Sequence, residues 1–160
     1  METKIRPVQT DELQSLLELY QHLNPTDSLP DEEQLQKVWH QLLNDPKITC
    51  WVVDFEGTLI ASCILVIVPN LTRNARPYAL IENVVTHPEY RRQGIGKRLL
   101  DRVLQFAWSQ NCYKVMLLSS STREEAHQFY EKVGFSRDRK VGFVATPKAN
   151  IHVDISKKTL

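Results

Sequence analysis

The chain has 160 residues, 42% hydrophobic and 24% charged, with a formal net charge of +1. That length suits one domain, and so small a charge argues against a nucleic-acid partner. The longest apolar run, around Ile60 to Val68, is too short to span a bilayer, and the N-terminus lacks a signal-peptide pattern, so the expectations are no membrane partner and a cytoplasmic location.

In chain order, Lys4 to Val8 reads as a short strand that Pro7 confines to a sheet edge. Thr10 and Asp11 are candidate caps for a helix with Leu13, Leu16, Leu17, Tyr20 and Leu23 on one stripe. After a turn-rich loop from Asn24 to Pro30, a second helix places Leu35, Val38, Trp39, Leu42 and Leu43 inward and stops at Asn44-Asp45-Pro46. Thr49 to Asp54 and Thr58 to Val68 then form a hairpin. Gly57 suits the last position of a three-residue Phe55-Glu56-Gly57 loop, which sets Cys50 against Ser62 and keeps its thiol away from Cys63. The three cysteines, Cys50, Cys63 and Cys112, all sit in apolar runs. An odd count without C-x-x-C spacing points to neither a disulfide framework nor a zinc site. Among the histidines, His22, His40, His87 and His152 form no ligand spacing, so no metal is expected.

A polar loop carrying Arg73 and Arg76 leads into Tyr78 to Thr86, apolar on both faces and expected in mid-sheet. Pro88 ends that strand. From Ile95 the apolar residues Ile95, Leu99, Leu100, Val103, Leu104, Ala107 and Trp108 fall at helical spacing, and Gly94 and Gly96 stand at the helix start among Arg91, Arg92, Lys97 and Arg98. A helix start offers unpaired N–H groups and partial positive charge, and glycine lets an anion approach the backbone. The expected ligand is a phosphate or pyrophosphate. Walker A lacks its Gly-Lys-Ser/Thr here, and a dinucleotide fingerprint would need glycine where Leu99 stands. Further on, Tyr113 to Ser119 reads as a strand, Arg123 to Val133 as a helix closed by Gly134, and Phe135 to Val144 as one or two strands. Residues 145–160, with alternating Ile151, Val153 and Ile155, form an extension to a single domain spanning residues 1–144.

The stretch Arg91-Arg92-Gln93-Gly94-Ile95-Gly96 resembles the acyl-CoA pyrophosphate loop, Arg-x-x-Gly-x-Gly, of the GNAT superfamily of N-acetyltransferases. Downstream, Ala126-His127-Gln128-Phe129-Tyr130-Glu131-Lys132-Val133-Gly134-Phe135 resembles the same family's Ala-x-x-Phe-Tyr-x-x-x-Gly-Phe signature. The element order agrees up to Val144. The resemblance implies an α/β fold with a central mixed sheet flanked by helices, the GNAT-like acyl-CoA N-acyltransferase fold, and acetyl-CoA as co-substrate without a metal.

It further implies a cofactor site of Val84, Val85, Thr86, Arg91, Arg92, Gln93, Gly94, Ile95, Gly96 and Lys97. Glu82 aligns with the family's general base, and Tyr130 with the general acid for the CoA thiolate. The bare residue readings are a Glu82 that pairs with a cation or lines the cleft, and a Tyr130 that is a core aromatic. Arg123 stands where many members carry an Asn that holds the pantetheine. Ile81-Glu82-Asn83-Val84-Val85 and Asn111-Cys112-Tyr113-Lys114 resemble the family's glucosamine 6-phosphate N-acetyltransferases, although Asn83 replaces their usual Asp. The leading acceptor is therefore a small-molecule amine, with Arg73 and Arg76 as candidates to meet an anionic one. A protein lysine or N-terminus, and a non-catalytic acyl-CoA sensor, are the alternatives. The oligomeric state stays open, a homodimer included.

Overall fold

The computed structural model describes residues 2–147, so Ile151, Val153 and Ile155 lie outside the described residues. Five strands form one sheet in the order β1-β2-β3-β4-β5. They are β1 (Lys4–Pro7), β2 (Ile48–Phe55), β3 (Thr58–Val68), β4 (Tyr78–Thr86) and β5 (Val115–Met116). The first four pair antiparallel, and β5 joins β4 in parallel. Helices α1 (Leu13–Tyr20) and α2 (Glu32–Asn44) cover one face; α4 (Ile95–Ser109) and α5 (Glu124–Val133) cover the other. A single turn, α3 (Thr72–Ala75), interrupts the β3–β4 connection. Among the described residues no helix is long and apolar enough to cross a membrane.

Strand alternation divides the core. Trp51, Val53, Ala61, Cys63, Leu65 and Ile81 point to α4 and α5, whose contribution is Ile95, Leu99, Leu100, Val103 and Ala107. Cys50, Val52, Leu59 and Val85 point to Leu16, Leu19 and Trp39 of α1 and α2. Two expected inward residues are half exposed instead: Val38 at 45% and Trp108 at 49%. Each lies at the margin of its helix's apolar arc, and its neighbours Trp39 and Ala107 take the buried place.

The hairpin turn is tighter than expected. Phe55 pairs with Thr58, which leaves a two-residue loop, Glu56-Gly57, with φ of 51° and 86°. Positive φ at both positions matches the twist of the flanking strands. With a register shift between Val53 and Asp54, Cys50 then stands opposite Ile64 rather than Ser62. Cys50 and Cys63 face opposite sides of the sheet, so their thiols stay apart.

The two ends of the chain depart from expectation in different ways. At the start of α1, neither Thr10 nor Asp11 caps the helix; Glu12 occupies that position without a side-chain cap bond. Its carboxylate is claimed by Arg6, whose guanidinium donates to both Glu12 oxygens at 2.6 and 2.9 Å and to Asp54 at 2.8 Å. One cation thus ties β1 to the start of α1 and to the β2–β3 hairpin. Toward the C-terminus, β5 is shorter than Tyr113 to Ser119, and no strand forms over residues 135–147. Gly142 passes close to Leu118, beyond the end of β5, where a Cβ would lie 2.6 Å from Leu118 Cδ2, while Val141, Phe143 and Val144 are exposed. Alternating Val141 and Phe143 supply a strand pattern, but a strand also needs a neighbour's backbone, and no ladder forms here among the described residues.

The Arg6 cluster makes a prediction. The bonds from Arg6 hold the Glu12 and Asp54 carboxyls below their ordinary values, against the opposing effect of burial. Stability from a depressed carboxyl is present above its unfolded pKa and is lost as pH falls through the folded one. Arg6→Ala should cost about 1 to 2 kcal/mol near neutral pH, between exposed and buried charged hydrogen bonds. The gap in melting temperature from the unmodified protein should narrow below about pH 4.5. Melting curves between pH 2 and 8 check it; a gap independent of pH would remove these carboxylates from the account.

Candidate active site

Strand β4 loses one of its two partners after Leu80. Its ladder to β5 pairs Ala79 with Val115 and Leu80 with Met116, and goes no further. From Ile81 to Thr86 the β4 edge facing β5 carries no ladder, so a wedge opens between the two strands. On its other edge β4 stays bonded to β3, but with a defect. Glu82 pairs with Ile64 and Val85 with Ser62, so Cys63 alone faces both Asn83 and Val84. This is a β-bulge with Asn83 as the extra residue, at φ 53°. Asparagine is among the few residues that tolerate that backbone.

The bulge explains how Glu82 lives in an apolar strand: both Glu82 and Asn83 are exposed, while Val85 on their C-terminal side is buried. Solvent at the carboxylate removes the desolvation cost that a mid-sheet position would impose. On the opposite side of β4, Tyr130 comes from α5. Its ring packs between Phe129 at 5.2 Å and Phe135 at 6.1 Å. Burial pushes the Tyr130 phenol above its ordinary value; Arg123 opposes this, and Cys63 and Glu82 add to it.

At the end of β4, Pro88–Tyr90 form a 3-10 turn that delivers the chain to α4. Gly94 precedes the helix at φ 76°, a conformation that favours glycine. The first helical bond runs from the Arg98 N–H to the Gly94 carbonyl, so helix geometry leaves the N–H groups of Ile95, Gly96 and Lys97 free. The Ile95 side chain is buried, so it can offer a ligand its backbone alone. Gly96 has a second duty. A Cβ there would lie 3.2 Å from both the Phe129 ring and the Thr86 hydroxyl, so glycine lets α4 pack against β4 and α5.

The expected cations are not equivalent. Arg91 folds back to donate to the Thr86 carbonyl at 2.9 Å, and Gln93 donates to the Glu89 carbonyl at 2.9 Å; both brace the loop. Lys97 pairs with Asp101 at 2.7 Å. Arg92 is exposed with Glu125 3.8 Å away, and Arg98 is exposed without an ion pair among the described residues. The wedge edge Val84-Val85-Thr86 runs into this loop, so the structure brings the expected cofactor residues together along one path. Arg73 and Arg76 lie at the opposite end of β4. Arg76 is spent on the end of α4, bonding the Asn111 and Cys112 carbonyls at 3.2 Å each, and Arg73 lies 6.0 Å over the Tyr113 ring. His127 bonds the Ser120 carbonyl at 2.8 Å and is a helix-to-loop tie. Two surface hollows beside α2, bordered by Thr10 and Asp11, contain none of the candidate residues. The bulge itself was not foreseen; its one signal was Asn83, a poor strand former, inside a run of β-formers.

Comparison with known proteins bears directly on this arrangement. Residues 13–135 match the acetyltransferase (GNAT) family. The chain is 34% identical over 137 residues to a glucosamine 6-phosphate N-acetyltransferase of Trypanosoma brucei brucei, covering 84% of this chain and 90% of that protein. It is 30% identical over 138 residues to the enzyme of the same name from Arabidopsis thaliana, covering 83% and 89%. Among solved structures it is similar to a putative acetyltransferase from Agrobacterium tumefaciens str. C58, with TM-score 0.86 and 41% identity over 90% of this chain and 99% of that one. The split sheet, the glycine loop and the α5 motif thus stand where a family match also runs through them, and the chain belongs to the GNAT family of acetyl-CoA-dependent N-acetyltransferases.

Proposed function

We propose that this enzyme acetylates the amine of a small phosphorylated amino sugar, with glucosamine 6-phosphate as the first candidate. The observation that carries this reading is the near full-length similarity to two glucosamine 6-phosphate N-acetyltransferases, which includes β4 and the glycine loop. Protein amines as acceptors, and a sensor without turnover, gain no support from these relatives.

In this reading the free N–H groups at the start of α4 and the Arg92 side chain hold the CoA pyrophosphate. The unpaired β4 edge at Val84–Thr86 offers backbone donors and acceptors to the pantetheine amides, much as a neighbouring strand would. An alkyl amine with a pKa of about 10.4 is mostly protonated at neutral pH. Glu82, directly or through a water, takes that proton. The freed nitrogen attacks the thioester carbonyl, the new C–N bond forms and the C–S bond breaks. Tyr130 gives its proton to the departing sulfur, and the second proton that the nitrogen sheds as the amide forms returns through solvent to the Tyr130 phenolate. A phenol raised by burial remains protonated at neutral pH, as an acid must.

Incubation of the protein with acetyl-CoA and glucosamine 6-phosphate should release CoA and form the N-acetyl product. Glucosamine without phosphate should react more slowly. Release with lysine peptides but not with amino sugars would overturn the acceptor.

Two substitutions separate the proposed roles. Glu82→Gln should lower turnover most at acid to neutral pH and recover as the amine deprotonates unaided, with acetyl-CoA affinity nearly unchanged. A pH–rate profile parallel to the unmodified enzyme would leave Glu82 without a role in proton removal. Tyr130→Phe should lower kcat by about 10²–10⁴-fold while acetyl-CoA affinity and melting temperature move little. The alkaline fall in kcat, as the phenol loses its proton, should vanish with it. Wild-type kcat in a folded Tyr130→Phe enzyme, with acyl transfer rate-limiting, would sink the acid assignment.

A further inference from the structure

Beyond β5 the chain has no ladder to hold it. In a parallel pair the strands run the same way, so Leu117 to Ser120 continue past Met116 as Ile81 to Thr86 continue past Leu80. Leu117 to Ser120 are therefore the far lip of the wedge, across from the unpaired edge of β4. The near lip is braced along its other edge by β3. The far lip has no strand on either side among the described residues. Leu117 packs into the core, but Leu118 is exposed.

Among the described residues, the hydrogen bonds of this stretch converge on Ser120. Its carbonyl accepts from the Arg123 N–H at 3.1 Å and from His127 Nε2 at 2.8 Å, and its hydroxyl meets that of Thr122 at 3.0 Å. The Arg123 and Thr122 bonds stay local to the loop. Only the His127 bond reaches into the body of α5. No cap supplies a tie in its place, because Arg123 holds the N-cap position without a side-chain bond. A carbonyl only accepts, so His127 Nε2 carries a proton here. The other ring nitrogen, Nδ1, lies 3.4 Å from a Glu124 oxygen, and Arg137 donates to that carboxylate at 3.1 Å. The ring is thus engaged on both sides, and its side chain is only 17% exposed. Tyr130 follows three residues later, on the same side of the helix.

We propose that His127 is a positioning residue for acetyl-CoA: through the Ser120 carbonyl it fixes the far lip against α5 and so sets the opening of the wedge before the co-substrate arrives. It acts on the main chain of the lip and on no reacting atom. Without the tie the lip samples positions that cannot close on a ligand, and apparent affinity falls with the fraction of molecules in the competent form. Tyr130 is packed separately by Phe129 and Phe135, so its proton transfer is spared. The inference rests on the acetyl-transfer reading of the wedge, but its first measurement needs no substrate.

Amide hydrogen exchange over Leu117 to Thr122, in protein without ligand, reads the lip directly. His127→Leu removes the donor and keeps a side chain that suits a helix; exchange there should rise about fivefold relative to α5. His127→Ala serves if that variant does not fold. In calorimetric titration His127→Leu should weaken acetyl-CoA about fivefold. The KM for acetyl-CoA should rise with it, while kcat stays within about twofold. His127→Gln places an amide N–H at a similar reach and should restore both exchange and affinity. This split is the reverse of the one expected for Tyr130→Phe. Unchanged acetyl-CoA affinity in folded His127→Leu, whatever its melting temperature, makes His127 a structural tie only and overturns the inference. Failure of His127→Gln to restore affinity overturns it as well. If the unmodified protein binds no acetyl-CoA, the reading of the wedge falls and takes the inference with it. Unchanged lip exchange in folded His127→Leu, with acetyl-CoA still bound by the unmodified protein, overturns the inference alone.

Discussion

Strand β4 must be a fully bonded core strand at its start and a half-bonded one at its end, and the molecule is arranged around that requirement. A buried backbone group without a partner is costly, so an open edge in mid-sheet persists only where something else can satisfy it. Here the ladder to β5 stops after Leu80 and Met116, and the released edge faces the groove that ends at the glycine loop. The family's acetyl-CoA is a ligand with amides suited to such an edge. In the proposed reading, the sheet that is incomplete as pure architecture is completed by the ligand.

The glycine loop and the Phe-Tyr motif depend on each other through packing as well as chemistry. Gly96 brings the start of α4 close enough to β4 and α5 that the Phe129 ring and Thr86 hydroxyl fill the space a Cβ would take. Phe129 in turn sets the register of α5, and Gly134, at φ 110°, turns the chain so that Phe135 closes over Tyr130. The glycine-bearing start of one helix and the phenol of the next are thus held by a shared contact. A larger residue at 96 would disturb both at once.

Electrostatics divide along the same line. Arg6, Glu12 and Asp54 form a partly buried cluster far from the wedge, where their charges stabilise the junction of β1, α1 and the hairpin. Near the wedge, Arg91 and Gln93 are committed to the Thr86 and Glu89 carbonyls, which fixes the loop's shape and leaves the backbone N–H groups at the start of α4 unpaired within the helix. The loop is braced by some of its polar side chains, which is what the proposed main-chain binding of the pyrophosphate requires.

Much of this was legible in the residues themselves. Apolar spacing identified α1, α2, α4 and α5, alternation identified β2, β3 and β4, and the glycines with their neighbouring motifs marked the loop and the α5 tyrosine to which the proposed cofactor and acid roles are given. These are local signals: the period of a helix or strand and the identity of a cap are written within a few residues. The remainder depended on partners distant in sequence. The two-residue turn at Glu56-Gly57, the bulge at Asn83, the shortness of β5 and the lack of a strand over residues 135–147 are all questions of which backbone meets which. A side-chain pattern says which face of a strand is apolar, but not whether a neighbour's N–H and C=O groups stand at the right height beside it. Arg76 shows the same limit for charge, since its engagement with the end of α4 is decided by the fold and not by its place in a polar loop.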